Sequence, residues 1–427
     1  MGRLTARSSS NYLRSLIGIL ALVVAEGASA QVPAGAADTI AAAATSAGPT
    51  DPGHYLAIVG NCSSCHTAAG GKPFAGGVAF QTDFGTIYSS NITADPQFGI
   101  GKWTQQDFVN AMRRGVRPDG QHLYPAFPYP AFTKVSDSDL GKLWRYLRTL
   151  APVNQQPPAN ALRFPFSQRS LMALWKAFFF DEGPMASDAG KSAEWNRGAY
   201  LIEGLGHCGA CHTPRNMLGA EKKDLALTGG AYSDAVQPGL VRPWSTANLT
   251  SAKDGLAAWS VEDVVSYLKT GHSSRGGTFG PMNEVIGNST QHFTDADLRA
   301  IAGYLKALPP RTGDTGTASS KDVAAGEVAY TVHCGTCHLP TGLGDPKQGP
   351  PLVGSAVVQS PNPATLINVI LYGAQVPKPA PPHAWENMKA FANDLNDEEV
   401  AGIATYVRGT WGNLGSAVTE DQVSRQR

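Results

Sequence analysis

Three stretches of this chain carry the same stripe of apolar residues. Leu140, Leu143, Trp144 and Leu147 repeat at the spacing of one helix face, as do Leu298, Ile301, Ala302 and Leu305, and Val400, Ile403, Ala404 and Val407. Each stripe has its own start signal: Ser136 with Asp139, Thr294 with Asp297, Asn396 with Glu399. The first residue can accept from exposed amides, and the acid sits favourably in the first turn. Strand-like alternation is scarce, while Gly (47) and Pro (30) are abundant, so the pattern predicts an all-α fold of short helices joined by long loops. Two other apolar runs stand apart. Leu16 to Val24 follows Arg3, Arg7 and Arg14 and precedes Ala28-Ser29-Ala30, which reads as a secretory signal over residues 1–30, with an uncleaved anchor as the alternative. Leu171 to Phe180 is too short to cross a bilayer; it reads as a helix packed between modules or as a docking or membrane-surface patch.

The chain also repeats itself. Trp103-Thr-Gln-Gln-Asp107-Phe108 matches Trp259-Ser-Val-Glu-Asp263-Val264, with Gly115 and Gly271 at equal distances beyond, and Asn91-Ile92-Thr93 matches Asn248-Leu249-Thr250. A third, shorter module lacks this middle section. The expected organisation is a signal peptide (1–30), a flexible linker (31–52), domain 1 (53–151), an apolar connector (152–193), domain 2 (194–309), a linker (310–322), domain 3 (323–411) and a C-terminal tail (412–427). Thirty-four basic residues balance 34 acidic ones, so nothing implies nucleic acid or another polyanion as a partner. Charged residues are only 16% of the chain, against about 25% in ordinary domains, which favours burial against something else.

The chemistry lies in Cys-x-x-Cys-His, which occurs once per module: Cys62, Cys65 and His66; Cys208, Cys211 and His212; Cys334, Cys337 and His338. This is the attachment motif of c-type haem: two thiols bind the vinyl groups and the adjacent histidine reaches the iron. A redox dithiol or zinc site does not need a histidine after every copy. The reading is three covalently bound haem c groups in three tandem class I cytochrome c-like domains, with no cysteine left for a disulfide. Secretion agrees with haem attachment outside the cytoplasm. A sixth iron ligand is expected before each closing helix, and Met282 and Met388 stand there in modules two and three. Module one has Phe127 at that place. Met112, His122, a ligand from elsewhere or a five-coordinate iron remain for its haem.

Beyond these motifs, Ile87-Tyr88-Ser-Ser-Asn91-Ile-Thr93, Gly206-His207-Cys208-Gly-Ala-Cys211-His212-Thr-Pro-Arg215, Ser289-Thr-Gln-His292 and Trp411-Gly-Asn413 resemble signatures of one family. It is the triheme cytochrome c subunits of bacterial periplasmic, membrane-bound dehydrogenases acting on alcohols, sugars, aldehydes or N-heterocycles. The resemblance covers essentially the whole mature chain. It implies an electron-transfer subunit, not catalytic alone, that accepts electrons from a dehydrogenase catalytic subunit of pyrroloquinoline quinone, flavin or molybdenum type. It implies delivery to ubiquinone or another respiratory acceptor at the outer face of the inner membrane. By the same resemblance Met282 and Met388 match the family's distal ligands, whereas Phe127-Pro128-Tyr129 departs from its usual Met-Pro-Tyr. Phenylalanine there is more like relatives paired with molybdenum hydroxylases, which leans toward an aldehyde or N-heterocycle partner. Two other classes use an open first haem: a haem enzyme such as a peroxidase, or a gas or redox sensor. The first needs a distal acid or base, and none stands beside Phe127; the second needs an output domain.

Overall fold

The protein is described by a computed structural model covering residues 51–237, 240–312, 316–374 and 385–427. The expected signal sequence and nearly all of linker 31–52 lie outside the described residues. Module one runs through helices α1 (Pro52–Val59) and α2 (Cys62–His66), strands β1 (Ala79–Thr82) and β2 (Gly85–Tyr88), then helices α3 (Gln105–Arg114), α4 (Tyr129–Phe132) and α5 (Asp137–Leu147). The connector adds strand β3 (Ala161–Leu162) and helix α6 (Leu171–Phe179). Module two repeats the order with α7 (Ala193–Tyr200), α8 (Gly209–His212), β4 (Gly230–Gln237), β5 (Leu240–Thr246), α9 (Val261–Thr270), a small hairpin of β6 (His272–Ser273) and β7 (Gly276–Gly277), α10 (Met282–Asn288) and α11 (Asp295–Ala307). Module three comprises α12 (Ser320–Ala325), α13 (Glu327–His333), α14 (Gly335–His338), α15 (Ala364–Tyr372), α16 (Asp397–Gly409) and, beyond it, α17 (Glu420–Ser424).

The three predicted stripes are the buried faces of closing helices α5, α11 and α16. Their predicted caps form: the Ser136, Thr294 and Asn396 side chains accept from the amides of Asp139, Asp297 and Glu399. The repeated tryptophan segment is also a helix start. Thr104 and Asp107, and Ser260 and Asp263, make reciprocal capping boxes on α3 and α9. Gly115 (φ 59°) and Gly271 (φ 76°) then end these helices in the left-handed conformation that glycine adopts most readily.

In each module a closing helix crosses the helix that leads into the cysteine motif, and a glycine marks the crossing. A Cβ on Gly53, Gly198 or Gly326 would overlap the backbone carbonyl oxygen of Lys142, Ala300 or Gly402 respectively. These contacts bring backbones together eight to ten residues before Cys62, Cys208 and Cys334. In module two a π-helical turn (Leu201–Leu205) absorbs the longer spacing between crossing and motif.

Modules one and two share one hydrophobic core, from Leu56 to Leu305, whereas module three has its own around Tyr330, Ile367 and Ile403. The seam between the first two is reciprocal. Tyr55 of α1 donates to Asp297 of α11 at 2.6 Å, and its repeat equivalent Tyr200 of α7 donates to Asp139 of α5 at 2.8 Å. Within module two, Arg197 holds Asp297 with a bidentate bond (2.7 and 2.8 Å), and across the seam Lys134 bonds Glu203 at 2.8 Å. Module three docks on β5: Ser245 and Thr365 bond each other through backbone and side chain, and Asn368 donates to the Pro243 carbonyl.

The described residues depart from an all-α fold. β1, β2 and β3 form an antiparallel sheet, β4 pairs with β5, and β6 with β7. The β1–β2 and β4–β5 hairpins occupy equivalent places, between a haem-motif histidine and the Asn-x-Thr segment, and β3 joins the first from the connector. The β1–β2 and β6–β7 hairpins are short, and β4–β5, which pairs over seven positions, carries Asp234 opposite Arg242 and Ser233 opposite Pro243 in place of a regular apolar alternation, so their signal is weak against the helical stripes. The connector is a helix packed between modules. Trp175 is buried, donates to the Leu218 carbonyl at 2.9 Å and meets Tyr129 edge-on. Its other face leaves Leu174 60% and Phe178 73% exposed.

Gly198→Ala should destabilise the chain by about 1–3 kcal/mol, the usual cost of overpacking. Gly303→Ala, with nothing within 4 Å of the added methyl, should be neutral or stabilising. Denaturant unfolding of both variants checks this. Burial pushes the Asp297 carboxyl up, but the bonds from Arg197 and Tyr55 outweigh it and hold the group below its usual range. A depressed carboxylate contributes stability above its unfolded value, about 3.9, and loses it as pH falls through the folded value. Asp297→Asn should therefore cost on the order of 1.5–3 kcal/mol at neutral pH. The gap to the parent should narrow as the medium is acidified, as read from unfolding curves at several pH values.

Candidate haem sites

Each Cys-x-x-Cys-His motif forms a single helical turn ending at its histidine: α2, α8 and α14. In all three the histidine Nδ1 meets a backbone carbonyl: Ser90 at 2.6 Å for His66, Ala247 at 2.8 Å for His212, Pro350 at 2.9 Å for His338. With Nδ1 as donor, Nε2 is the nitrogen that can bind a metal, the usual arrangement of a ligating histidine. Burial holds all three imidazoles below their usual range, only partly offset by that bond, so they are neutral at physiological pH, the form a metal can bind. The six cysteines are free and half-buried. Burial pushes Cys62, Cys208 and Cys334 up to about 12 and Cys65 up to about 11, an environment that favours neutral sulfur such as a thioether.

The repeated Asn-x-Thr segments explain how these carbonyls are held. Asn91 follows Ser90, and Asn248 follows Ala247. Each asparagine accepts from the amide and hydroxyl of the threonine two residues on (Thr93 or Thr250). Each also donates to the chain just beyond its closing helix, Asn91 to the Val153 carbonyl at 2.8 Å and Asn248 to the Arg311 carbonyl at 2.7 Å. Module three uses another device. Asn413, after the closing helix, accepts from Gly354 and donates to the Leu352 and Val407 carbonyls, bracing the loop that carries Pro350.

One continuous cavity of about 2280 Å³ joins the three modules. That exceeds the roughly 300–1,000 Å³ of a pocket for one small ligand. Nine of the eleven predicted site residues line it: Cys65, Cys208, Cys211, Cys334, Cys337, His212, His338, Met282 and Met388. Cys62 and His66 lie beside it, and their neighbours Asn61, Ser63 and Thr67 are in its wall. Met282 opens α10, and Met388 lies on an irregular stretch held by its amide bond to the Ala374 carbonyl (3.0 Å). The wall also carries two buried indole N–H groups without a protein partner, on Trp244 and Trp385. Apolar walls for a macrocycle, paired thiols, an oriented imidazole and unsatisfied donors suited to carboxylates all fit haem c.

The two sequence candidates for the first sixth ligand point elsewhere. Met112 is 4% exposed in the shared core with Phe108 and Trp144. His122 is held away in an antiparallel bridge with Val116: its Nδ1 lies 3.0 Å from Lys176 Nζ, and Arg169 donates to its carbonyl. Phe127 packs edge-on against Phe132, ring centroids 5.2 Å apart. Sequence reasoning passed over Trp244, Trp385 and the connector's Met172, which also lines the cavity. A tryptophan or methionine outside a motif reads as packing until the cavity is seen.

These features define a cytochrome c with covalently attached haem. Residues 321–407 match the family model described as cytochrome C oxidase, cbb3-type, subunit III. The alcohol dehydrogenase (quinone) cytochrome c subunit of Gluconobacter oxydans is 38% identical over 376 residues, covering 84% of this chain and 78% of that one. The fructose dehydrogenase cytochrome subunit of Gluconobacter japonicus is 38% identical over 410 residues, covering 88% and 82%. A nicotinate dehydrogenase subunit of Pseudomonas putida is 42% identical over 372 residues; this chain matches 30% of that longer protein's length. The chain belongs to the family of dehydrogenase cytochrome c subunits.

Asn248→Ala should leave the Thr250 amide without its acceptor and the Arg311 carbonyl with only the Thr250 hydroxyl at 3.2 Å, costing about 1–3 kcal/mol. It should also loosen the carbonyl that orients His212. The expected result is unchanged haem content with a shifted electron paramagnetic resonance signal for one ferric haem.

Proposed function

We propose that this chain is the triheme electron-transfer subunit of a periplasmic dehydrogenase complex. The observation that carries the reading is the single cavity shared by all three haem motifs, in a chain whose relatives are dehydrogenase cytochrome subunits. Cys62 and Cys65, Cys208 and Cys211, and Cys334 and Cys337 would attach the haems, and His66, His212 and His338 would be their first axial ligands. Met282 and Met388 would be the sixth ligands in modules two and three. The bound haem supplies one-electron exchange at an iron whose potential follows its axial ligands. The chain's own residues hold and tune it: carbonyls of Ser90, Ala247 and Pro350 fix the imidazoles, and the apolar walls exclude water. The three cytochrome domains span 53–151, 194–309 and 323–411. The chain does no bond chemistry and is not catalytic alone.

The partner in this reading is a catalytic subunit that oxidises the substrate, and the acceptor is ubiquinone or another respiratory carrier at the outer face of the inner membrane. An N-terminal signal directs the chain there. No described helix is long and apolar enough to cross a membrane, so attachment would run through a partner or a surface. The similar chains serve alcohol, fructose, gluconate and nicotinate dehydrogenases, so the family alone leaves the substrate open. Phe127 favours an aldehyde or N-heterocycle partner, and the match to the nicotinate dehydrogenase chain points the same way.

Purified mature chain should stain for haem on a denaturing gel and show an intact mass with three haems; two or fewer in matured protein would count against the reading. Met282→Ala and Met388→Ala should each lower one midpoint in a redox titration, because thioether ligation favours reduced iron. In the isolated complex, addition of the partner's substrate should reduce the haem bands, and failure to do so would remove the electron-transfer role.

A further inference from the structure

We infer that Met172, on the connector helix α6, is the sixth ligand of the first haem. The inference rests on the three-haem reading above and goes beyond it. Six methionines fall among the described residues. Met112 is sealed in the core, Met217 is 95% exposed, and Met185 is tied by its amide to the Lys134 carbonyl, away from the cavity. The three that remain, Met172, Met282 and Met388, all line the cavity shared by the three haem motifs. Two of them already belong to modules two and three.

Helix α6 lies across the loop where module one would carry its own ligand. Arg169 stands over the Tyr124 ring at 4.6 Å and donates to the His122 carbonyl at 2.9 Å. Lys176 sits over the Tyr129 ring at 4.8 Å and bonds the Gly115 carbonyl and His122 Nδ1. Trp175 and Phe180 meet Tyr129 edge-on. Met172 and Phe127 pack in the same small cluster around Tyr129 and Trp175. Met172 shares the cavity wall with Tyr124, Pro125, Ala126 and Pro128 of that loop. A thioether from the helix thus stands where the loop itself offers only an aromatic ring. A methionine sulfur coordinates without losing a proton, so no acid or base need accompany it.

The same geometry accounts for the helix's exposed apolar face. Leu171, Leu174 and Phe178 line this cavity as well, so they form wall for a flat apolar group. An unpartnered docking patch is not needed to explain them. Trp175, anchored on the Leu218 carbonyl of module two, holds the helix in register. The first haem's ligation then depends on both modules.

The test uses the full-length mature protein with its haem count measured first. Oxidised parent should show only low-spin ferric signals in electron paramagnetic resonance. Met172→Leu, which keeps the volume and removes the sulfur, should keep three haems, convert one low-spin signal to high-spin, lower one midpoint and let the reduced protein bind carbon monoxide at one haem. Phe127→Met added to that variant should restore the third low-spin signal. A high-spin haem in the parent, or three unchanged low-spin signals in Met172→Leu, overturns the assignment of Met172. Fewer than three haems in the parent overturns instead the cofactor count beneath it.

Discussion

Backbone contact at three helix crossings positions everything else in this molecule. Gly53, Gly198 and Gly326 let the helix leading into each cysteine motif lie directly on the carbonyls of the closing helix. The motif follows within eight to ten residues, so the crossing determines where two thiols and an imidazole emerge. A larger side chain would hold the helices apart and carry the motif with them. The apolar stripes on α5, α11 and α16 supply the driving force, and the glycines convert it into a defined distance.

A second layer of polar contacts orients the imidazole. In modules one and two an Asn-x-Thr turn fixes the carbonyl that receives the histidine Nδ1–H, and the asparagine amide ties that turn to the chain beyond the closing helix. Module three reaches the same result with Asn413 from beyond its closing helix. The hydrogen bond to the imidazole is kept across all three modules while its support differs. That is expected if ring orientation is what the site requires.

Modules one and two form a pseudo-symmetric pair. Equivalent tyrosines, Tyr55 and Tyr200, each donate to equivalent aspartates, Asp297 and Asp139, of the opposite module. A repeated surface that is complementary to itself produces two copies of every contact, and here those copies enclose one core. Module three lacks the middle section and docks differently, on the edge of β5 through α15.

Local chemistry was legible in the chain itself. A motif spaced by two residues, a stripe spaced by three and four, and a cap three residues from its partner all act within one or two turns. They identify the haem motifs, the closing helices and the repeat without any fold. The hairpins leave little trace in the chain because the β1–β2 and β6–β7 pairings are short and the longer β4–β5 pairing carries no regular apolar alternation. The roles of His122, Met112 and Met172 were not legible because each depends on what lies across the module. Lys176 and Arg169 turn His122 aside, the shared core absorbs Met112, and α6 brings Met172 to the cavity. Tyr55 and Asp297 are 242 residues apart in the chain, and nothing in their neighbours announces that they meet. Residue type and short spacing along the chain are enough to mark the groups that can hold a cofactor, since both act within a turn or two. That the three sites open into one cavity follows from the long-range packing of whole modules, which no local pattern encodes.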